Sequence, residues 1–268
     1  MIRACQLGKR YGDKLALEGV SFEIAAGEVC GYLGPNGAGK STTVKILTGT
    51  LAPTSGQASI GGFDVVTQPL EVKRRIGYVP ETGAVYQTLS VEEYLALVGA
   101  LHHLGPAEIA DRGNRMLSLF GIAAAAQQRI DTLSKGMRQK VVIISALLHD
   151  PDVLLFDEPL SGLDANAALT IKDLVRGLAD QGKAILYCSH VLDVVERLCD
   201  RVIILHEGRI VADGAPLDLM AGSQRQSLEH VFRELTSNQD QQQVGAALLD
   251  AVRRNESTTP GPSGGRTP

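Results

Sequence analysis

The fold class of this chain is decided by the stretch Val29-Cys30-Gly31-Tyr32-Leu33-Gly34-Pro35-Asn36-Gly37-Ala38-Gly39-Lys40-Ser41. Its apolar first part, Val29 to Leu33, predicts a buried strand, and the run from Ser41 to Leu47 predicts a helix. Between them lies the pattern GxxxxGK[ST], whose glycines let backbone N–H groups approach and surround phosphates. A strand, this loop and a helix in that order predict a P-loop nucleotide site.

The residue types of the loop suit a nucleoside triphosphate. The loop amides and the positive N-terminus of the following helix attract an anion. Lys40 is expected to reach the β- and γ-phosphates, and Ser41 to ligate Mg²⁺. A chance glycine-rich turn is the alternative, and the flanking strand and helix argue against it. The residues expected to contact the cofactor here are Gly34, Pro35, Asn36, Gly37, Ala38, Gly39, Lys40, Ser41 and Thr42.

A second apolar run, Val153 to Phe156, ends in two carboxylates, Asp157 and Glu158. Ionised acids at the end of a buried strand need a partner, because burial penalises their charge. Asp157 is expected to hold Mg²⁺, directly or through water. Glu158 is expected to polarise a water for attack on the γ-phosphate. Two acids that simply cap a strand at the surface are the alternative.

Apolar runs that alternate with helical patterns predict an α/β fold with a mostly parallel core sheet. Further strands are expected at Ala184–Cys188 and Val202–Leu205, and helices at Leu169–Gln181 and Leu192–Leu198. His190 follows one of these strands. Since the carboxyl ends of parallel strands meet at one crevice, we expect His190 to contact the γ-phosphate or the attacking water.

Three peripheral segments differ from this core. Residues 4–24 predict an antiparallel β subdomain with a turn near residues 11–14. Residues 89–149 are rich in Ala and Leu at helical spacing and predict a helical insertion. Residues 238–268 are polar and then rich in Pro, Gly, Ser and Thr, which predicts a flexible C-terminal tail. The nucleotide-binding domain is therefore expected to span residues 1–237.

Composition limits the function classes. The chain has 268 residues, 44% hydrophobic and 21% charged, as in a soluble globular protein. Its net charge of −4 argues against a nucleic-acid partner. No apolar run reaches the length of a membrane span, so we expect a cytoplasmic protein. Its cysteines, Cys5, Cys30, Cys188 and Cys199, form no CxxC pair that would predict a metal site.

Residues Leu133 to Met137 (LSKGM) resemble the LSGGQ signature of the ATP-binding cassette (ABC) family, and they lie shortly before the Asp157 strand as that family requires. Other motifs of the family occur along the chain in the order that is usual for the family. Tyr11 matches the aromatic residue that stacks on adenine, Ser161-Gly162-Leu163-Asp164 matches the D-loop, and His190 matches the switch histidine. The resemblance covers about residues 2–220.

The resemblance implies an ATPase subunit of an ABC transporter, with ATP and Mg²⁺ as cofactors. It implies a head-to-tail dimer in which Ser134 and Gly136 of one subunit cover ATP on the Lys40 loop of the other, with Asp164 also at the nucleotide. It further implies an integral membrane permease as partner. The chain would then associate peripherally with the inner face of the cell membrane.

The chain departs from the family pattern at two places. The signature has Lys135 and Met137 where Gly and Gln are usual. In Ile76–Glu81 (IGYVPE), Glu81 stands where the family usually has Gln. We expect Glu81 to lie close to Mg²⁺ and the attacking water, as a metal ligand and a catalytic residue. Residues Ser227 to Thr236 (SLEHVFRELT) resemble the ending of bacterial ABC-2-type exporter cassettes, which favours export.

Other functions share some of these sequence features. A non-transport ABC ATPase that acts on a soluble macromolecule is the main alternative. Translation-factor members carry two cassettes, DNA-repair members carry long coiled coils, and this chain shows neither pattern. A nucleotide kinase or GTPase shares the phosphate loop, but the signature, the acid pair and His190 together argue against it.

Overall fold

The computed structural model describes residues 1–81, 85–222 and 227–236. The predicted tail at residues 238–268 lies outside the described residues, so the domain boundary at residue 237 stays a prediction. Within the described parts, strands and helices alternate through the core. The strands are β1 (Ile2–Tyr11), β2 (Lys14–Ile24), β3 (Val29–Leu33), β4 (Ser55–Ile60), β5 (Phe63–Asp64), β6 (Ile76–Val79), β7 (Val153–Asp157), β8 (Ala184–Cys188), β9 (Arg201–His206) and β10 (Arg209–Gly214).

The helices lie between and after these strands. They are α1 (Lys40–Leu47), α2 (Pro69–Arg75), α3 (Val91–Leu101), α4 (Pro106–Leu119), α5 (Lys135–Leu147), α6 (Ala165–Asp180), α7 (Leu192–Leu198), α8 (Pro216–Gly222) and α9 (Leu228–Thr236). Among residues 89–149, all of which are described, the chain forms α3, α4, α5 and two short 3₁₀ turns, and no strand. The helical character predicted for this stretch is confirmed.

The central sheet has six strands in the order β10-β9-β3-β8-β7-β6. The pairs from β9 to β6 are parallel, and only β10 pairs antiparallel, with β9. Strands β3, β7 and β8 are buried along their whole length. Continuous apolar strands of this kind are typical of a parallel sheet covered on both faces. The predicted α/β fold with a mostly parallel core is confirmed.

A second sheet has four antiparallel strands in the order β2-β1-β4-β5. Strands β1 and β2 form a hairpin in which Tyr11 lies opposite Lys14. This sheet matches the predicted antiparallel subdomain. It brings Tyr11, at the end of β1, to the edge of the phosphate site.

Two hydrophobic clusters fill the two faces of the central sheet. Because side chains alternate along a strand, Cys30 and Tyr32 of β3 pack in one cluster with α1, and Val29 and Leu33 pack in the other with α6 and α7. A third cluster holds the helical segment together and contains Leu95, among others. The burial of both faces holds the carboxyl ends of the parallel strands in fixed positions.

The start of helix α6 differs from the sequence-based expectation. The apolar pattern predicts a helix from Leu169, whereas the helix begins at Ala165. The reason is Asp164, whose Oδ1 accepts a hydrogen bond of 2.8 Å from the Ala167 N–H and so caps the first turn. The first turn, Ala165 to Ala168, carries no large apolar side chain, so periodicity alone misses it.

Candidate functional site

A cavity of about 780 Å³ lies where the parallel strands β3, β7 and β8 end. Open α/β sheets bind ligands at this edge, outside the carboxyl ends of their strands. The cavity brings together most of the sequence-predicted site. Its predicted lining residues are Tyr11, Gly34, Pro35, Asn36, Gly37, Gly39, Lys40, Ser41, Thr42, Glu81, Asp157, Glu158 and His190.

The phosphate loop needs its glycines for backbone shape and close packing. Gly39 has a φ of 112°, and a Cβ there would lie 2.6 Å from the Ala16 carbonyl oxygen. A Cβ at Gly34 would lie 2.4 Å from the Leu205 carbonyl oxygen. Neither position accepts a side chain without a backbone shift. Ala38, also predicted to contact the cofactor, does not line the cavity and is buried in the core beneath the loop.

Lys40 extends over the loop that precedes it. Its Nζ donates hydrogen bonds to the carbonyl oxygens of Gly34, at 2.5 Å, and Pro35, at 3.2 Å. These carbonyl acceptors hold the ammonium group at the cavity. Because they carry no formal charge, they do not neutralise the positive charge of Lys40. An anion in the loop would therefore receive a charge-assisted hydrogen bond from Lys40.

Asp157 is the most perturbed acid of the cavity. Burial, and after it the charges of Glu81 and Glu158, raise the pKa of Asp157 to about 6, while Lys40 opposes the rise. Burial, and after it the charge of Asp157, raises the pKa of the neighbouring Tyr78 phenol to about 12. Carboxylates that repel one another at one place favour a bound cation, which removes the repulsion.

The donor set of the cavity suits Mg²⁺ more than a metal held by protein alone. No group of three or more His, Cys, Asp or Glu side chains with metal-binding geometry occurs within residues 1–81, 85–222 and 227–236. Mg²⁺ usually keeps several waters and takes one or two carboxylates together with substrate phosphates. Asp157, the Ser41 hydroxyl and a nucleotide in the loop would form such a set.

Glu158 is held by two residues of the neighbouring strand end. His190 Nδ1 lies 2.8 Å from its Oε1, and Ser189 Oγ donates to its Oε2 at 3.2 Å. The pairing follows from register, because Asp157 of β7 lies opposite Cys188 of β8. Glu158 has a φ of 52°, an unfavourable conformation for a non-glycine residue. The Glu158 N–H donates to the Cys188 carbonyl at 2.9 Å, which helps to hold this conformation.

Tyr11 forms one side of the cavity mouth and is 46% exposed. The Lys9 Nζ lies 5.4 Å from the centre of its ring, a distance at which a cation attracts an aromatic face. Among the described residues, the ring belongs to none of the three hydrophobic clusters. It is therefore accessible for stacking on a planar ligand.

Ser134, Gly136 and Asp164 do not line this cavity. Ser134 caps α5, its Oγ accepting from the Met137 N–H at 3.2 Å. Gly136 packs on the D-loop, where a Cβ would lie 2.8 Å from the Gly162 carbonyl oxygen. Within one chain these residues belong to a separate surface. That they reach the nucleotide of a second copy stays a prediction.

The cavity also contains residues that sequence reasoning did not assign. They are Lys14, Ala16, Ser189, Leu192 and Phe232. Ser189 carried a signal, because it stands between an apolar strand and His190. Phe232 lies in the segment that resembles exporter endings, but nothing in its local pattern placed it at the cavity.

Comparison with known proteins agrees with this geometry. Residues 17–161 match the family model described as ABC transporter. The chain is 39% identical over 238 residues to the ABC transporter ATP-binding protein NatA of Bacillus subtilis, covering 87% of this chain and 96% of that one. It is 36% identical over 240 residues to the daunorubicin resistance ATP-binding protein DrrA3 of Streptomyces coeruleorubidus, covering 90% and 74%.

Solved structures show the same relationship. The structure of an ATP-binding subunit of an ABC transporter superposes with a TM-score of 0.84 at 35% identity, covering 88% of this chain and all of that one. A dimeric bacterial ABC transporter cassette superposes with a TM-score of 0.75 at 26% identity, covering 80% and 98%.

Proposed function

Because this chain belongs to the ABC transporter family, we propose that the cavity binds Mg²⁺-ATP and that Glu158 and His190 carry its hydrolysis. The chain is an ATP-binding subunit with the P-loop cassette fold and is an ATPase. The observation that carries the residue assignment is the contact of 2.8 Å between His190 Nδ1 and Glu158 Oε1, beside the phosphate loop.

In this proposal Tyr11 stacks on the adenine ring, and the loop from Gly34 to Thr42 encloses the phosphates. Lys40 exchanges its contacts with the loop carbonyls for the β- and γ-phosphates. The N-terminus of α1 adds its dipole to the same anion. The buried strand β3 and the core beneath Ala38 fix the loop, so binding requires little rearrangement of backbone.

Ser41 and Asp157 are the proposed ligands of Mg²⁺, and Glu81 is close enough to influence the pKa of Asp157. When bound, the cation would neutralise charge on the β- and γ-phosphates. Glu81 is proposed as an additional ligand, direct or through water. Its own side chain is exposed at the cavity, which leaves it able to approach a metal.

Glu158 is proposed as the group that accepts the proton of the attacking water. It is largely buried, with a side-chain exposure of 14%, and two hydrogen-bonding partners orient it. His190 is much more open, at 80%, and its Nε2 is not used in the contact with Glu158. That nitrogen is therefore available to the γ-phosphate or to the water.

The proposed assembly contains two cassettes arranged head to tail. Ser134 and the first amides of α5 would supply hydrogen-bond donors to the γ-phosphate on the other subunit. Their separation from the cavity within one chain supports this arrangement, because a single copy leaves the phosphates open on one side. Asp164 would lie at the same interface, in addition to capping α6.

The proposed partner is an integral membrane permease, and the proposed direction of transport is export. Relatives are named for linearmycin resistance in Bacillus subtilis and for Nod factor export in Paraburkholderia xenovorans, at 37% identity each. No helix in the described residues is long and apolar enough to cross a bilayer. We place the chain on the inner face of the cell membrane through its partner.

Two measurements test this proposal. Purified full-length chain should release phosphate from ATP only when Mg²⁺ is present, and Lys40→Ala should abolish the release. An affinity-tagged chain should copurify from its own cells with a protein of several membrane spans. Phosphate release that needs no Mg²⁺, or recovery of a soluble macromolecule as the only stoichiometric partner, would contradict the proposal.

A further inference from the structure

Phe232 lines the nucleotide cavity although it lies on the C-terminal helix α9, far along the chain from the phosphate loop and the acid pair. We propose that α9 is a positioning element of the ATP site, and that Phe232 and its helix hold the His190–Glu158 pair in place. This inference rests on the proposed function. It assigns a role to a segment outside the phosphate loop, signature, acid pair and switch histidine.

Helix α9 is firmly attached to the second core cluster. Leu228 and Val231 are 0% and 4% exposed and pack with Val194 and Val195 of α7. The Leu228 N–H also donates a hydrogen bond of 2.9 Å to Glu196 Oε2. This bond satisfies a free amide at the start of α9 with a side chain of α7. The two helices are therefore joined by apolar packing and by a charge-assisted hydrogen bond.

Helix α7 in turn fixes the loop that carries His190. The helix begins at Leu192, two residues after the histidine. The Val191 N–H donates to Ser189 Oγ at 3.1 Å, and the same Ser189 hydroxyl donates to Glu158. A continuous series of contacts thus leads from α9 through α7 to the carboxylate proposed to activate water.

His190 depends on these contacts because its own side chain is little constrained by neighbouring residues. Its side chain is 80% exposed, and the ion pair with Glu158 is the one side-chain hydrogen bond or ion pair that it makes with the described residues. The position of the ring is therefore set mainly by the backbone of residues 189–192. A small displacement of that backbone lengthens the contact with Glu158. A misplacement of about 1 Å at a reacting group can slow catalysis by about 10²-fold.

Phe232 has a second effect at the same wall of the cavity. Phe232 and Leu192 are both half-buried, both pack against the second core cluster, and both line the cavity. They are apolar residues in the lining of the cavity that also contains His190. Apolar side chains at this wall limit the water that reaches Glu158, whose side chain is only 14% exposed, and so help to keep the carboxylate in one orientation.

The role predicts an effect on turnover and not on nucleotide affinity. Tyr11, Lys40 and Ser41 lie on β1 and α1, which pack in the first core cluster, whereas α7 and α9 pack in the second. Phe232→Ala should therefore lower kcat roughly tenfold while the KM for ATP changes little. Phe232→Leu restores an apolar side chain at the wall and should recover most of the rate.

The test compares these full-length variants with Arg233→Ala, an exposed change on the same helix that removes only an ion pair with Glu229. Arg233→Ala should hydrolyse ATP like the wild type. Thermal unfolding of each variant distinguishes a loss of folded protein from a displacement of the His190–Glu158 pair. If Phe232→Ala is unstable, Phe232→Leu still tests the inference, because it keeps an apolar side chain at this position.

The decisive measurement is a double-mutant cycle with His190→Ala. If Phe232 acts through His190, Phe232→Ala should have little further effect on the residual rate of His190→Ala. An unchanged kcat in Phe232→Ala, a full additional loss on the His190→Ala background, or a large rise in KM would each overturn the inference. Absence of ATP hydrolysis by the wild type would instead refute the proposed function.

Discussion

His190 Nδ1 and Glu158 Oε1 lie 2.8 Å apart, across the ends of two neighbouring parallel strands. With Glu158 ionised, Nδ1 is the donor in this contact and Nε2 is left for a ligand. The second oxygen of Glu158 accepts from Ser189. The carboxylate is thus oriented before any substrate binds, in the way expected of a group that must accept a proton from a water at one position.

Glu158→Gln should separate ATP binding from hydrolysis. The amide keeps the shape of the side chain but cannot accept the proton, so kcat should fall by about 10²–10⁴-fold. ATP should still bind, because Lys40, Ser41 and Asp157 are unchanged, and an ATP-bound dimer should accumulate. Size-exclusion chromatography with ATP detects it. Lys40→Ala is the comparison variant and should fail earlier, at binding or phosphate positioning. Hydrolysis by Glu158→Gln at the wild-type rate would remove Glu158 from its role.

Tyr11→Ala should weaken ATP binding without changing the fold. The ring is half-exposed at the cavity mouth, and stacking of a base on an aromatic side chain contributes about 1–3 kcal/mol. Fluorescence titration with a nucleotide analogue measures the change in Kd. Tyr86→Ala is a matched control, since Tyr86 is 65% exposed and does not line the cavity. Equal affinity for wild type and Tyr11→Ala would refute the adenine assignment.

Glu81 should influence the Mg²⁺ dependence of hydrolysis. Glu81→Gln keeps an oxygen ligand and should leave the rate at saturating Mg²⁺ largely intact, whereas Glu81→Ala should impair hydrolysis most at low Mg²⁺. ATPase rates measured against Mg²⁺ concentration decide this. Superimposable curves for wild type and Glu81→Ala would show that Glu81 takes no part in the site.

Glu81→Gln should also shift the pH profile of hydrolysis, and the direction of the shift can be stated. Asp157 must be ionised to hold Mg²⁺, and its raised pKa in the metal-free protein, about 6, means that kcat/KM should decline as the pH falls through that value. Glu81→Gln removes one of the negative charges that raise this pKa. The acid limb of the profile should therefore move to lower pH. An unchanged or upward-shifted limb would contradict the assigned coupling between Glu81 and Asp157.

Asp157→Asn should stabilise the nucleotide-free fold while abolishing Mg²⁺-dependent hydrolysis. The folded-state pKa of Asp157 exceeds its ordinary value of 3.8, so the folded chain binds more protons than the unfolded chain between pH 4 and 6. Its ionisation therefore costs stability as the pH rises through about 6. At pH 7.5 without Mg²⁺ or nucleotide, the variant should unfold a few degrees higher by calorimetry. A lower Tm would show that Asp157 is stabilised by contacts that outweigh its burial and repulsion.

Removal of residues 238–268 should leave ATP hydrolysis intact. The described residues that line the cavity extend along the chain no further than Phe232. A chain ending at Ser237 should therefore match the full-length rate, and limited proteolysis should cut first beyond that residue. A shorter chain ending at Gly222 also removes α9 and should lose turnover. Loss of activity or dimerisation in the longer truncation would assign the tail a role of its own.

The sequence by itself determined the parts whose physics is local. The phosphate loop can be predicted from sequence because its glycines permit a backbone shape that other residues do not adopt. A glycine is also required where a Cβ would collide with another backbone segment, as at Gly39. Strands β3, β7 and β8 are readable because continuous apolar runs must be buried. Asp157 and Glu158 are readable because two acids at the end of such a run need a ligand. The antiparallel hairpin and the helical stretch follow from periodicity in the same way.

Only the tertiary structure decided which of these pieces meet. The strand order β10-β9-β3-β8-β7-β6 depends on packing between distant segments, and no local pattern encodes it. That order makes β7 and β8 neighbours, and their register places Glu158 within reach of His190. It also brings Phe232 to the cavity through the packing of α9 on α7. Such contacts arise from burial of apolar surface, which is non-directional, so a sequence reveals which residues are buried but not which residues they face.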